Sequence, residues 1–223
     1  MNKQRKAIIL CSGGVDSVTA LYLAKSEGFE LHVLSVKYGQ KADKEVEMAK
    51  INAEKVGASF KLIDISDLKN VLETPLINKE IKEELNFSEG DSKYIVPFRN
   101  AIFLSIAVGY AESILADTVF IGNHLDDALG FPDCRKEFID AFQSAVYQGT
   151  AKEQTMVPTI RSPWLNFKKS EIIKKGISLG VDYGLTWSCY QQGEKHCGVC
   201  ESCEFRKIAF AEVGIKDPTQ YLE

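Results

Sequence analysis

The stretch KAIILCSGGVDSVTALYLAKSEG, residues 6–28, constrains this chain more than any other part of it. An apolar run over residues 6–11 ends at Ser12-Gly13-Gly14, and a helical pattern of apolar residues follows as far as Gly28. A buried strand, a glycine turn and a helix in that order set backbone N–H groups at a helix N-terminus, where the peptide dipoles favour an anion. Gly13 and Gly14 permit close approach of a ligand and dihedrals that other residues avoid. Ser12 and Ser17 add hydroxyls, and Asp16 beside phosphates makes sense with a Mg2+ ion between them. The pattern G-x-x-x-x-G-K-[ST] is absent, because no lysine follows the glycines, and so is G-x-G-x-x-G. A purely structural turn, with Asp16 as a helix-start residue, is the alternative.

Strand and helix patterns keep alternating beyond this point. Residues 30–38 and 58–65 read as strands, with a helix over 43–56 between them that Gly57 stops. A helix over 99–115, a strand over 117–122, a helix near 134–147, a short strand near 156–160 and a helix over 168–179 follow. A last helix begins near residue 201. Such alternation predicts βαβ units, and so an α/β fold with a doubly wound parallel sheet. Residues 66–97 are charged and proline-punctuated, the pattern of a flexible, partly helical insertion that can act as a flap. The expected division is a nucleotide-binding α/β domain over 1–185 and a C-terminal segment, 186–223, packed on it.

The six cysteines are unevenly spread. Cys11 and Cys134 stand alone, and Cys11, at a strand end, reads as a small buried residue. Cys189, Cys197, Cys200 and Cys203 form C-x7-C-x2-C-x2-C, which offers four thiolates to one tetrahedral ion, in form a closed structural zinc site. His196 adjoins Cys197, and neighbouring residues rarely both reach one ion. A redox cysteine pair and an iron–sulfur cluster remain alternatives. Lys195 and Arg206 are expected to offset the charge of the thiolates. A net charge of −4 gives no sign of a polyanion partner, so stable nucleic-acid binding is not expected. The basic start MNKQRKAIIL has too short an apolar run for a secretory signal, and the stretch over 101–116 is broken by Ser105, Gly109, Glu112 and Ser113. No membrane association and a cytoplasmic location are therefore expected.

Ser12-Gly13-Gly14-Val15-Asp16-Ser17 resembles the SGGxDS signature of the PP-loop ATP pyrophosphatases. Further matches are Tyr38-Gly39-Gln40, Val96-Pro97-Phe98-Arg99-Asn100, Pro132-Asp133-Cys134-Arg135 with Glu137-Phe138, and Trp187-Ser188-Cys189-Tyr190. With the cysteine tail, the whole set is similar to the QueC family, the 7-cyano-7-deazaguanine (preQ0) synthases, over about residues 7–206. The resemblance implies an adenine nucleotide alpha-hydrolase-like domain with a small C-terminal zinc-binding appendage. It implies an ATP-dependent C–N ligase that turns 7-carboxy-7-deazaguanine and ammonia, by adenylation through an amide, into preQ0 for queuosine or archaeosine tRNA modification. ATP with Mg2+, one structural Zn2+ per chain and a homodimer are implied with it. ATP and its pyrophosphate would lie along Cys11, Ser12, Gly13, Gly14, Val15, Asp16, Ser17, Val18, Thr19, Ala20 and Leu21, with Asp16 a Mg2+ ligand.

For the substrate half, a guanine-like base presents N1–H and a 2-amino group side by side, which suits one carboxylate. Asp133 is the candidate, against a helix N-cap role. Arg99 or Arg135 would clamp the substrate carboxylate or a phosphate, against surface ion pairing. Asn100 is a further candidate within its motif. Asp127 would assist Mg2+ or the base, against simple solvation. Tyr94, Phe98 and Phe131 would stack on the base, against core packing, and His124 reads as a loop histidine rather than a proton relay. Many members have glycine in place of Phe98, tyrosine in place of Phe131, and a CETDFSG-like run where this chain has residues 124–130. That difference keeps a related carboxylate open as substrate. A tRNA-thiolation enzyme and a non-catalytic nucleotide-binding zinc protein are the other functional classes.

Overall fold

The computed structural model describes residues 4–40, 43–72, 74, 95–151 and 157–222. Most of the insertion expected over 66–97, together with Tyr94 and Met156, lies outside these residues. Among the described residues, five parallel strands form one sheet in the order β3-β2-β1-β4-β5. They are β1 (Lys6–Leu10), β2 (Glu30–Lys37), β3 (Ser59–Asp64), β4 (Thr118–Phe120) and β5 (Thr159–Arg161). The helices are α1 (Val15–Ser26), α2 (Lys44–Val56), α3 (Arg99–Ile114), the single turn α4 (Asp127–Gly130), α5 (Lys136–Gly149), α6 (Lys169–Ser178) and α7 (Glu201–Val213).

The unbroken apolar run of β1 follows from its central place, since successive side chains of a strand face opposite sides and both sides here are covered. Ala7 and Ile9 join the core under α1 and α2, with Val18, Leu21 and Ala53. Ile8 and Leu10 join the opposite core with Leu104 and Ala107 of α3 and Ile139 of α5. β3, at the edge, is only half covered, and its charged Lys61 faces outward. β5 falls at the late end of the 156–160 stretch read from sequence, because its ladder to β4 begins only at Thr159.

From β1 the chain runs outward through β2 to β3, then returns to the other side of β1 as β4. At such a reversal the loops after neighbouring strands part, and a crevice opens at the carboxyl ends. The C-terminal segment closes one side of it. α7 packs on α6 and adds Ala209 and Phe210 to the main core. Arg206 is wholly buried; its guanidinium meets Asp217 at 3.0 Å and donates to Thr186 Oγ1 at 2.8 Å and the Tyr183 carbonyl at 3.0 Å. Its charge is thus balanced by Asp217 rather than by the cysteines, contrary to the sequence expectation. No helix among the described residues is long and apolar enough to cross a membrane.

Candidate active site

A cavity of about 270 Å³ opens where β1, β2 and β4 end. The turn after β1 forms its floor. Gly13 has φ 87°, and a Cβ there would lie 2.2 Å from the Glu45 carbonyl oxygen, so α2 lies directly against the turn and only glycine fits. Ser17 Oγ accepts from the Ser12 N–H at 3.2 Å and donates to the Gly14 carbonyl at 3.3 Å, which folds the turn around the start of α1. Gly122, after β4, comes so close that a Cβ would meet Ser17 N at 2.9 Å. Cys11, Ser12, Gly14, Val15, Asp16 and Ser17 line the cavity. Val18, Thr19, Ala20 and Leu21, the rest of the stretch expected to lie along ATP, do not: all four are fully buried inside α1. Their helical spacing aims them at the core instead.

A cluster of charge stands over the turn. Lys169, the first residue of α6, donates from Nζ to Asp16 Oδ2 at 3.0 Å, and His124 Nε2 lies 3.8 Å from the same oxygen and 3.3 Å from Asp127 Oδ1. Burial opposes the charge on Asp16, yet Lys169 and His124 hold its carboxyl below the usual range. Burial likewise opposes the Lys169 ammonium, and Asp16 and Asp127 hold it above its ordinary value. For Asp127 burial wins, and the carboxyl is pushed up. Asp16 Oδ1 is buried without a hydrogen-bond partner, an orphaned anionic oxygen that fits a Mg2+ ion. His124 is 3% exposed, so this loop histidine is buried beside the two carboxylates rather than solvated. Lys169 escaped the sequence reading altogether. Its signal was a lysine in the first turn of a helix, where the dipole disfavours a cation.

The far wall joins two distant motifs. Asp133 Oδ2 accepts the Asn100 N–H at 2.9 Å, and Asn100 Nδ2 donates to the Asp133 carbonyl at 3.1 Å and to Cys134 Sγ at 3.2 Å. Asp133 therefore satisfies the start of α3, a helix other than its own, and is not among the residues that line the cavity. Arg135 is exposed, donates to the Ala128 carbonyl at 3.0 Å, and also lies off the cavity. Arg99 and Asn100 do line it. Arg99 donates to Tyr38 Oη at 3.2 Å; burial opposes its charge, but Tyr38, Asp133 and Cys134 raise its pKa further. Phe131 is in the wall, while Phe98 is 66% exposed and rests edge-on against Phe138. Trp187, Ser188 and Tyr190 complete the lining, and the Trp187 N–H donates to the Gly13 carbonyl at 2.9 Å.

Just behind Trp187, the sulfurs of Cys189, Cys197, Cys200 and Cys203 all lie within 4.8 Å of one another. Backbone N–H groups of Gln191 and Cys197 point at Cys189 Sγ, and that of Cys200 at Cys197 Sγ, each at 3.3 Å. Such donors favour thiolates, and four sulfurs this close suit one tetrahedral metal ion. His196 is turned away: its Nε2 accepts the Ser188 N–H at 3.0 Å and its ring stacks 4.2 Å from Trp187.

Comparison with known proteins agrees with this architecture. A family model described as queuosine biosynthesis protein QueC matches residues 6–214. The chain belongs to the QueC family. Two curated relatives named 7-cyano-7-deazaguanine synthase span nearly its whole length. The one from Methanosphaerula palustris is 45% identical, covering 98% of this chain and all of that protein. The one from Geobacter sulfurreducens is 43% identical, covering 98% and 94%. Among solved structures, NMN synthetase from Francisella tularensis superposes with a TM-score of 0.51 at 16% identity, covering 96% of this chain and 79% of that one. That likeness is one of fold alone. In this QueC family member Asp16, Asp127 and Lys169 of the charge cluster line the cavity, and the segment that carries the four cysteines supplies Trp187, Ser188 and Tyr190 to its wall.

Proposed function

We propose that this chain is an ATP-dependent ligase that converts 7-carboxy-7-deazaguanine and ammonia into 7-cyano-7-deazaguanine. The observation that carries the reading is end-to-end kinship, at 43–45% identity, with relatives of that name. The cavity supplies the parts such a reaction needs. A carboxylate oxygen is a poor leaving group, so its displacement by ammonia requires that AMP first be transferred to it from ATP. The substrate oxygen attacks the α-phosphate, the bond to the β-phosphate breaks, and pyrophosphate departs into the turn formed by Ser12–Ser17. The N–H groups at the start of α1 and the Lys169 ammonium would stabilise that negative charge as it develops. Mg2+ held by Asp16 and Asp127 would neutralise phosphate charge.

Ammonia then attacks the acyl carbon, AMP leaves, and the nitrogen loses a proton to give the amide. A second ATP adenylates the amide oxygen. Loss of AMP with the two remaining N–H protons leaves the nitrile. In this scheme Arg99 holds the substrate carboxylate, and Asn100 keeps Arg99 in place by tying α3 to Asp133. The four cysteines would hold Zn2+, an ion with a closed shell of ligands and no part in the chemistry. Its work is to fix the wall that carries Trp187, Ser188 and Tyr190. The pathway, cytoplasmic location and assembly as a homodimer follow the same reading.

Labelling tests the scheme. Starting from substrate with both carboxylate oxygens as oxygen-18, each of the two AMP molecules is expected to carry one labelled oxygen. Unlabelled AMP, or ADP as the nucleotide product, contradicts adenylation.

A further inference from the structure

We propose that Glu45 is the residue that recognises the guanine edge of the substrate, accepting hydrogen bonds from N1–H and the 2-amino group, with Arg99 beside it serving the neighbouring oxygens. This rests on the reading of the substrate as a 7-deazaguanine carboxylate. Three carboxylates line the cavity, and two of them have close side-chain partners: Asp16 meets Lys169 at 3.0 Å, and Asp127 lies 3.3 Å from His124 Nε2. Glu45 has no hydrogen bond or ion pair among the described residues. Burial pushes its carboxyl up to about 8, only partly offset by Arg99, so two N–H donors would relieve a real desolvation cost. Its backbone is fixed, because the first turn of α2 lies against Gly13. Tyr38, Phe103 and Tyr190 also line this part of the cavity and suit a flat bicyclic ring.

The order of groups on the base carries the argument further. Along one side of 7-carboxy-7-deazaguanine run the carboxylate, O6, N1–H and the 2-amino group: two acceptors, then two donors. A guanidinium next to a carboxylate is the complementary order, and each pairing is bidentate and charge-assisted. Adenine offers one amino donor beside a bare ring nitrogen, which would face a carboxylate lone pair to lone pair. The site is thereby selective for the substrate base over the base of ATP.

The test compares the substrate with the same carboxylate lacking the 2-amino group, in wild type and in Glu45→Gln. In wild type the analogue is expected to have a KM at least about 10-fold higher. Glu45→Gln is expected to raise the KM of the natural substrate by a similar factor, to leave that of the analogue within about twofold, and to leave the KM for ATP within about twofold. A raised KM for ATP, or an equal penalty on both bases, overturns the proposal. If wild type makes neither amide nor nitrile, the reaction reading falls, and calorimetry on the base assignment stands apart from it. Binding of 7-deazaguanine at least about 10-fold tighter than 7-deazahypoxanthine, lost in Glu45→Gln, supports Glu45; equal binding overturns it. Folding of the variant is checked by melting at pH 8. The folded state retains a proton that the unfolded chain releases near 4.5, so wild type loses stability as pH rises toward about 8, and Glu45→Gln removes that loss.

Discussion

Lys169 contacts Asp16 from 153 residues further along the chain. It supplies the cation that the loop sequence lacks, and it comes from the start of α6 because that helix begins at the carboxyl edge of the sheet. Lys169→Ala is expected to lower kcat/KM at least about 100-fold, roughly 3 kcal/mol of transition-state stabilisation, with Lys169→Arg in between. Steady-state kinetics with saturating ammonium checks this. Phe98 poses a different residue-scale question, since it holds φ 55°, a conformation that favours glycine. Phe98→Gly exchanges relief of strain for one edge-on ring contact and should melt within about 1 kcal/mol of wild type. Phe98→Val, β-branched in that conformation, should cost about 1–3 kcal/mol. At this scale the strand–turn–helix around Ser12–Ser17 was legible because it is a local pattern. Contacts assembled at a distance were not legible: nothing near His124 or Asp133 in the sequence tells which helix each will meet.

At the scale of elements, the sheet was legible because β1 and β2 are long and apolar while glycines stop α1 and α2. β4 and β5 were harder, each only three residues long, because their loops leave the sheet early to build the site. The cysteine cluster was legible from spacing alone as four residues that could hold one metal ion, but its contacts with the turn after β1 were not. The Trp187 N–H holds the Gly13 carbonyl, and Met48 of α2 packs with Trp187, Cys189 and Cys203. Losing the metal should therefore loosen the nucleotide turn as well as the tail. Cys200→Ser is expected to leave well under one metal ion per chain and to cost roughly 3 kcal/mol or more, a fall of about 6–12 °C in Tm. The KM for ATP should rise with it. Elemental analysis and melting on the same sample check the first part. A stable variant with zinc at one per chain contradicts it, and iron with inorganic sulfide in wild type contradicts the zinc assignment.

Across the whole molecule, Arg206 and Asp217 tie α7 and the C-terminal tail to residues 183–188, which lead into the cavity wall. Burial opposes the Asp217 charge, but Arg206 holds its carboxyl below the usual 3.8. A depressed acid stabilises the fold fully above its unfolded value and less as pH falls through its folded one. The tail should thus hold at neutral pH and release below about pH 4. Asp217→Asn, which strands a wholly buried guanidinium, should cost about 3–5 kcal/mol at pH 7, read from denaturant melts. Around this scaffold, the turn at Ser12–Ser17, Lys169 of α6, Arg99 and Glu45 share one cavity. Mass spectrometry of a reaction with purified protein, ATP, Mg2+, ammonium and 7-carboxy-7-deazaguanine tests that arrangement most directly. The account predicts the amide, then the nitrile, with AMP and pyrophosphate formed alongside; unchanged carboxylate in the presence of folded, metal-loaded protein would contradict it.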